Sequence, residues 1–219
     1  MTDYVQRIFD NLDSWRHLPS YQLERRADAF FSAYLPDILE LRFGSKPAHL
    51  IPEFPIHIPT IHPGALGHRS FKVDYLGVFS ADRPLVLVEL KTEASSRRDK
   101  QDWYLSKAQD TGVRDLLTGL AKIYAATVAK SKYDALLGAL DRAGLIRLRG
   151  RGVFDVLAPS IRPEILYITP AVQDGSISAI PFTEIADLIA KNADALSQRF
   201  AASLRTWALV PTGGLSPAA

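Results

Sequence analysis

Three residues in the first half of this 219-residue chain have the types and spacing to act on a phosphodiester: Asp74, Glu89 and Lys91. They lie in two apolar segments, Lys72-Val73-Asp74-Tyr75-Leu76-Gly77-Val78 and Leu85-Val86-Leu87-Val88-Glu89-Leu90-Lys91. Side chains alternate faces along a strand, so Asp74 shares a face with Leu76 and Val78. On the second segment Glu89 and Lys91 continue the face of Leu85 and Leu87. A charge on a buried apolar face costs several kcal/mol unless something pairs with it. Two converging carboxylates meet that need with a divalent cation, and oxygen-only ligands point to Mg²⁺ or Mn²⁺ in preference to zinc. Such an ion orients a water, lowers its pKa and neutralises charge on a phosphodiester. Lys91 would hold the attacking water and stabilise the charge that develops in the transition state.

The elements that must position these groups follow from local pattern. The two segments predict strands Phe71 to Phe79 and Leu85 to Lys91, joined by a turn over Ser80-Ala81-Asp82-Arg83-Pro84. A symmetric hairpin centred on Asp82 pairs residues whose numbers sum to about 164, setting Asp74 opposite Leu90. A one-residue bulge or shifted turn sets Asp74 opposite Glu89, and both registers stay open at this point. Residues 4 to 43 read as helical, with Ser20 as an N-cap after Pro19. Leu23, Ala27, Phe30, Phe31, Tyr34 and Ile38 form the buried stripe, Pro36 a kink, and Gly44 the end. Pro47, Pro52, Pro55, Pro59 and Pro63 predict an irregular excursion, with at most an edge strand around Ile56 to Ile58. The polar, basic stretch Ser95 to Lys107 leads into a helix over Val113 to Val128, and a second helix, Tyr133 to Leu140, closes at Gly144. Glu164 to Thr169 reads as a short buried strand, Phe182 to Trp207 as the last helix, and 211 to 219 as a loose tail. Helices at both ends of a small mixed sheet make this a layered α/β domain, a single one over residues 1 to 210.

Composition bounds the partners. Lys plus Arg number 26 against 24 Asp plus Glu, a net charge of +2, and there is no cysteine. That excludes disulfides, Cys-containing zinc sites and a cysteine nucleophile. The N-terminus lacks the apolar core of a signal peptide, and no apolar run approaches the roughly 18 residues of a membrane span, so a cytoplasmic setting without membrane contact is expected. So small a net charge leaves nucleic-acid binding to local clusters. Arg97, Arg98 and Lys100, with Gln101 beside them, could meet phosphates near the acids, or form only the solvated start of a helix. Arg142, Arg147, Arg149 and Arg151 have no acid among them and make the better backbone-contacting patch, unless acids elsewhere in the fold pair with them. Trp103 and Tyr104 either join the core or stack on bases. The spacing of His49, His57, His62 and His68 matches no metal pattern, so they read as loop histidines.

Asp74, a fourteen-residue spacer and Glu89-Leu90-Lys91 on a hairpin resemble the PD-(D/E)XK nuclease superfamily. The resemblance implies a restriction-endonuclease-like α/β/α fold with a small central mixed sheet. Its core would run helix, strand, strand, strand, helix, strand over about residues 20 to 170, with the C-terminal helix 182 to 207 added. It further implies that Asp74 and Glu89 bind Mg²⁺ or Mn²⁺, joined by the Leu90 carbonyl, with Lys91 as the catalytic lysine. Many members place a glutamate on the first helix, where Glu24 matches best and Glu40 is the runner-up. Gln101-Asp102-Trp103-Tyr104 loosely resembles the Gln-x-x-x-Tyr motif of the RecB-like branch, one residue short and nearer the lysine. Val73 stands where the family's proline is expected, and prolines obscure the strand before Asp74. The expected activity is metal-dependent hydrolysis of nucleic acid, DNA before RNA, by a chain that could dimerise. The alternative is a catalytically inactive nuclease-fold module that binds nucleic acid or a protein partner. A third reading is an unrelated α/β protein whose acids form internal salt bridges.

Overall fold

The computed structural model describes residues 3–80, 85–92, 99–172 and 178–209. Its helices are α1 (Tyr4–Trp15), α2 (Leu23–Phe43), α3 (Ile58–Ile61), α4 (Asp99–Thr111), α5 (Val113–Ala126), α6 (Lys130–Arg142), α7 (Phe182–Ile189) and α8 (Ala195–Ala208). The strands are β1 (His49–His57), β2 (Ser70–Val78), β3 (Val86–Leu90), β4 (Ile146–Gly150), β5 (Val153–Val156), β6 (Glu164–Thr169) and β7 (Ala179–Pro181). Five of them form one sheet in the order β1-β2-β3-β6-β7, and β4 and β5 form a separate hairpin. β1 with β2 and β2 with β3 are antiparallel, whereas β6 with β7 is parallel. The Glu164 amide donates to the Leu85 carbonyl at 2.8 Å and the Lys91 amide to the Ile168 carbonyl at 2.7 Å. The two partners advance together, so β3 and β6 are parallel and the sheet is mixed. The protein is thus a mixed α/β fold.

The chain divides into two compact units, one of Met1–Gly44, Leu90–Arg97 and Tyr167–Ala219, the other of Ser45–Glu89 and Arg98–Leu166. In the first, an aromatic core surrounds Phe200, whose ring lies 5.6 Å from Phe9, 5.2 Å from Phe31 and 6.1 Å from Trp207. All four side chains are at most 1% exposed, and each such ring contributes about 1.5–3 kcal/mol by leaving water. The helical stretch over residues 4 to 43 is two helices, α1 and α2, parted around Pro19. Leu18 precedes Pro19, which excludes the helical conformation there, and the chain turns before α2 begins. Ser20 has φ 61 and is no N-cap; Gln22 holds that position. Pro36 stays inside α2 without ending it, because Leu35, Ile38 and Leu39 around it are at most 1% exposed and their burial outweighs its cost of about 3 kcal/mol. Gly44 ends the helix in the left-handed region, φ 73. The last helix is also two: Asp194 is extended and its carboxylate accepts from the Ser197 amide at 2.9 Å, which starts α8 afresh.

In the second unit the proline-rich segment is a nine-residue strand, longer than the predicted stretch around Ile56 to Ile58. β1 is outermost in the sheet order, where a missing amide proton costs no central ladder bond. Pro52 and Pro55 lie opposite Tyr75 and Lys72, and Glu53 between them takes φ 53. β3 is buried along all five residues. The arginine-rich stretch is the β4–β5 hairpin, turned at Gly152 (φ 71), where an added Cβ would run into the Tyr124 ring.

Candidate active site

The pairing of β2 with β3 decides the open register. Tyr75 faces Val88, Leu76 faces Leu87 and Gly77 faces Val86; continued by one residue, this register sets Asp74 across from Glu89. The shifted hairpin therefore holds, and the symmetric one does not. Directly opposed residues share a face with Cβ atoms about 4.5–5.5 Å apart. Asp74 is half-buried on β2, and Glu89 is 1% exposed on β3. Gln101 of α4 donates its side-chain amide to Glu89 Oε1. A neutral donor of this kind offsets part of the cost of burying a carboxylate without cancelling its charge.

Two residues beyond Glu89, Lys91 is 5% exposed. Its backbone N–H donates to the Ile168 carbonyl just past the end of β3. Lys91 Nζ lies 3.7 Å from Glu24 Oε2 in the first turn of α2. Burial lifts the Glu24 carboxyl above its ordinary range, while the Lys91 ammonium, and more weakly Arg25, pull it back down. Glu24 is thus the helix glutamate that reaches the lysine. Glu40, sixteen residues on, sits about 24 Å further along the helix by its rise, beside a cavity that it lines with Tyr34, Asp37 and Lys191. Leu90, 2% exposed, separates Glu89 from Lys91 and ends β3.

The basic residues fare differently. Arg97 and Arg98 lie outside the described residues. Lys100 sits in the first turn of α4, its Nζ 5.8 Å from the centre of the Tyr104 ring. Gln101, expected on nucleic acid, has its amide engaged by Glu89. The arginine hairpin does have acids, contrary to the expectation of an uncompensated patch. Arg149 pairs with Asp155 at 2.6 Å and Arg151 with Asp134 at 3.1 Å, and Arg147 stands opposite Asp155 in the ladder. β5 supplies one acid across the hairpin and α6 the other, neither visible from the spacing of the arginines. The Tyr124 hydroxyl donates to Asp134 at 2.7 Å and, with Arg151, lowers the Asp134 pKa. Nor is His57 a loop histidine: it ends β1 at 2% exposure, with Nδ1 2.9 Å from Thr60 Oγ1.

Among the described residues no group of three or more His, Asp or Glu could hold a metal ion. Asp74 and Glu89 offer two hard oxygen donors on adjacent strands, and Glu24 is turned to Lys91. Two carboxylates fit a magnesium-class ion, which typically binds through one or two of them and keeps several waters. The link from Gln101 to Glu89 escaped the sequence reading, although the Gln101 to Tyr104 spacing was its visible trace. Among the described residues no helix is long and apolar enough to cross a membrane. In comparisons with known proteins no family model matches this chain, and no curated protein and no solved structure does either.

Proposed function

We propose that this chain is a metal-dependent nuclease of the PD-(D/E)XK type that hydrolyses phosphodiesters of nucleic acid, with DNA as the expected substrate. One observation carries the reading: the β2–β3 register sets Asp74 across from Glu89, with Lys91 two residues further on. The order α2, β1, β2, β3, α4, β6, with α3 inserted after β1 and α5, α6, β4 and β5 inserted before β6, supports it, since helix, three strands, helix and strand is the sequence of elements in a restriction-endonuclease-like core. α8 would be the C-terminal addition.

Asp74 and Glu89, with the Leu90 carbonyl, would hold Mg²⁺ or Mn²⁺. When bound, that ion supplies an acidified water and charge neutralisation at the phosphate. The chain's own residues do the rest. Gln101 holds the Glu89 carboxylate through Oε1. Lys91, removed from water, presents an ammonium whose field on a phosphoryl oxygen is far stronger than in solvent. Glu24 provides the counter-charge that makes burial of the ammonium bearable and limits the positions it can take.

The test is cleavage of single-stranded, duplex and branched DNA, and of RNA, with Mg²⁺ or Mn²⁺. Wild type should cut at least one of them, and Lys91→Ala should cut it about 100-fold more slowly or worse. Identical products from the two proteins on every substrate would overturn the proposal. Binding without turnover by wild type would favour the silent nuclease-fold module instead.

A further inference from the structure

The helix that carries Gln101 also bears an aromatic surface that the hydrolytic reading does not use. Trp103 of α4 is 39% exposed. It meets the exposed His62 ring edge to face at 5.1 Å and 82°, and the Tyr104 ring at 5.2 Å and 60°. Tyr104 in turn stacks on Phe71 at the start of β2, 5.1 Å away and only 14° from parallel. Leu66, in the loop between α3 and β2, is 90% exposed. A core function would bury the indole. Here its neighbours fix the ring while leaving part of it in water.

The same helix bears the amide that holds Glu89. Gln101 and Tyr104 are three residues apart and so are neighbours on the helix surface. Tyr104 stands about 4.5 Å beyond Gln101 along the axis. Lys100 adds a cation at the Tyr104 ring, and His62 lies against the indole. Asp99 and Asp102 on the first turn of α4 limit how many phosphates this surface attracts, so the ring faces and not the charge must supply the contact. A base inside a duplex has both π-faces covered by its neighbours, whereas an unpaired base can offer one to a side chain.

We propose that His62, Trp103, Tyr104 and Phe71 form a stacking platform for an unpaired nucleobase flanking the scissile phosphate, so that the substrate is single-stranded or locally opened nucleic acid. This rests on the nuclease reading for the position of the phosphate.

The test is fluorescence anisotropy with a labelled oligothymidine and a blunt duplex of equal length, in chelator so that nothing is cut. Wild type should prefer the single strand. Trp103→Ala should weaken single-strand binding about tenfold, leave duplex binding unchanged and keep the thermal midpoint, while Trp103→Phe should restore most of the affinity. Single-strand binding unaltered in Trp103→Ala, or weakened in equal measure with duplex binding, would overturn the platform. Cleavage by wild type with Mg²⁺ separates the two ideas. If wild type cuts and Trp103 governs single-strand binding, both stand. If wild type never cuts yet Trp103 still governs single-strand binding, the hydrolytic reading fails and the platform survives.

Discussion

Two regions of this molecule gather charge in a short stretch of chain, and they use it in opposite ways. On β3 and just past its end, Glu89 and Lys91 are 1% and 5% exposed, and each is met by a side chain from a helix, Gln101 or Glu24. On the β4–β5 hairpin, the Arg149 and Arg151 side chains are 55% and 72% exposed and pair with Asp155 and Asp134 in water. Exposed pairs of the second kind are screened and worth little. Buried charges of the first kind are expensive to keep, so their presence demands a use. The number of charges in a window is therefore a weaker guide to function than where each side chain is forced to sit.

Glu89→Gln should separate the regions most sharply. It keeps the shape and loses the charge, so cleavage should fall about 100-fold or more, and the thermal midpoint should no longer rise when Mg²⁺ is added. Unchanged turnover would place the buried acid in the same class as the hairpin charges. Gln101→Ala should follow, since it removes a donor from a buried carboxylate. A loss of about 1.5–3 kcal/mol in urea unfolding is expected, and much less when Glu89→Gln is already present, because the two act on one contact. Additive losses would show that the amide does not serve Glu89.

A smaller effect tests a buried base. His57 has its pKa lowered by burial first, then by Lys122 and His68, so the unfolded chain binds the proton more readily than the folded one. Its contribution to stability is whole above the unfolded pKa of about 6.5 and is lost as pH falls below that. Urea midpoints between pH 7.5 and 5.5 should fall less steeply for His57→Gln than for wild type, and parallel profiles would exclude His57 as the source. The smallest effect belongs to Arg149→Ala and Arg151→Ala. Each should leave the urea midpoint and the salt dependence of nucleic-acid binding within error. A clear drop in the salt slope would reinstate the hairpin as a phosphate-binding surface.

Patterns set by neighbours in sequence were legible, and those set by distant partners were not. The strand Glu164–Thr169 and the helix end at Gly44 stand where their residues place them. The acids on the two apolar segments were also plain, because period-two alternation needs only a few residues. The register was legible to within one residue. Turn geometry decides it, and a single-residue change of turn swaps Leu90 for Glu89 as the partner of Asp74. β1 was expected as an edge strand only around Ile56 to Ile58, and its length was underestimated because Pro52 and Pro55 read as breaks in the chain before it. Gln101 on Glu89, Glu24 on Lys91 and Asp134 on Arg151 join elements whose packing no local pattern specifies. The break after α1 was marked by Pro19, whereas the one after α7 had a local signal, Asp194 before Ser197, that a long apolar stripe outweighed.

The proline-bearing strand has a consequence for self-association. An open sheet invites a strand from another copy to hydrogen-bond along its rim, which is how many β-rich proteins polymerise. Here the rim strand β1 lacks an outward amide proton at Pro55, three residues from the Ile58 amide that bonds inward, and is turned out of line at Glu53. It offers an incoming strand no continuous row of donors. If two copies of this protein pair, an unbroken backbone ladder along β1 is not what joins them.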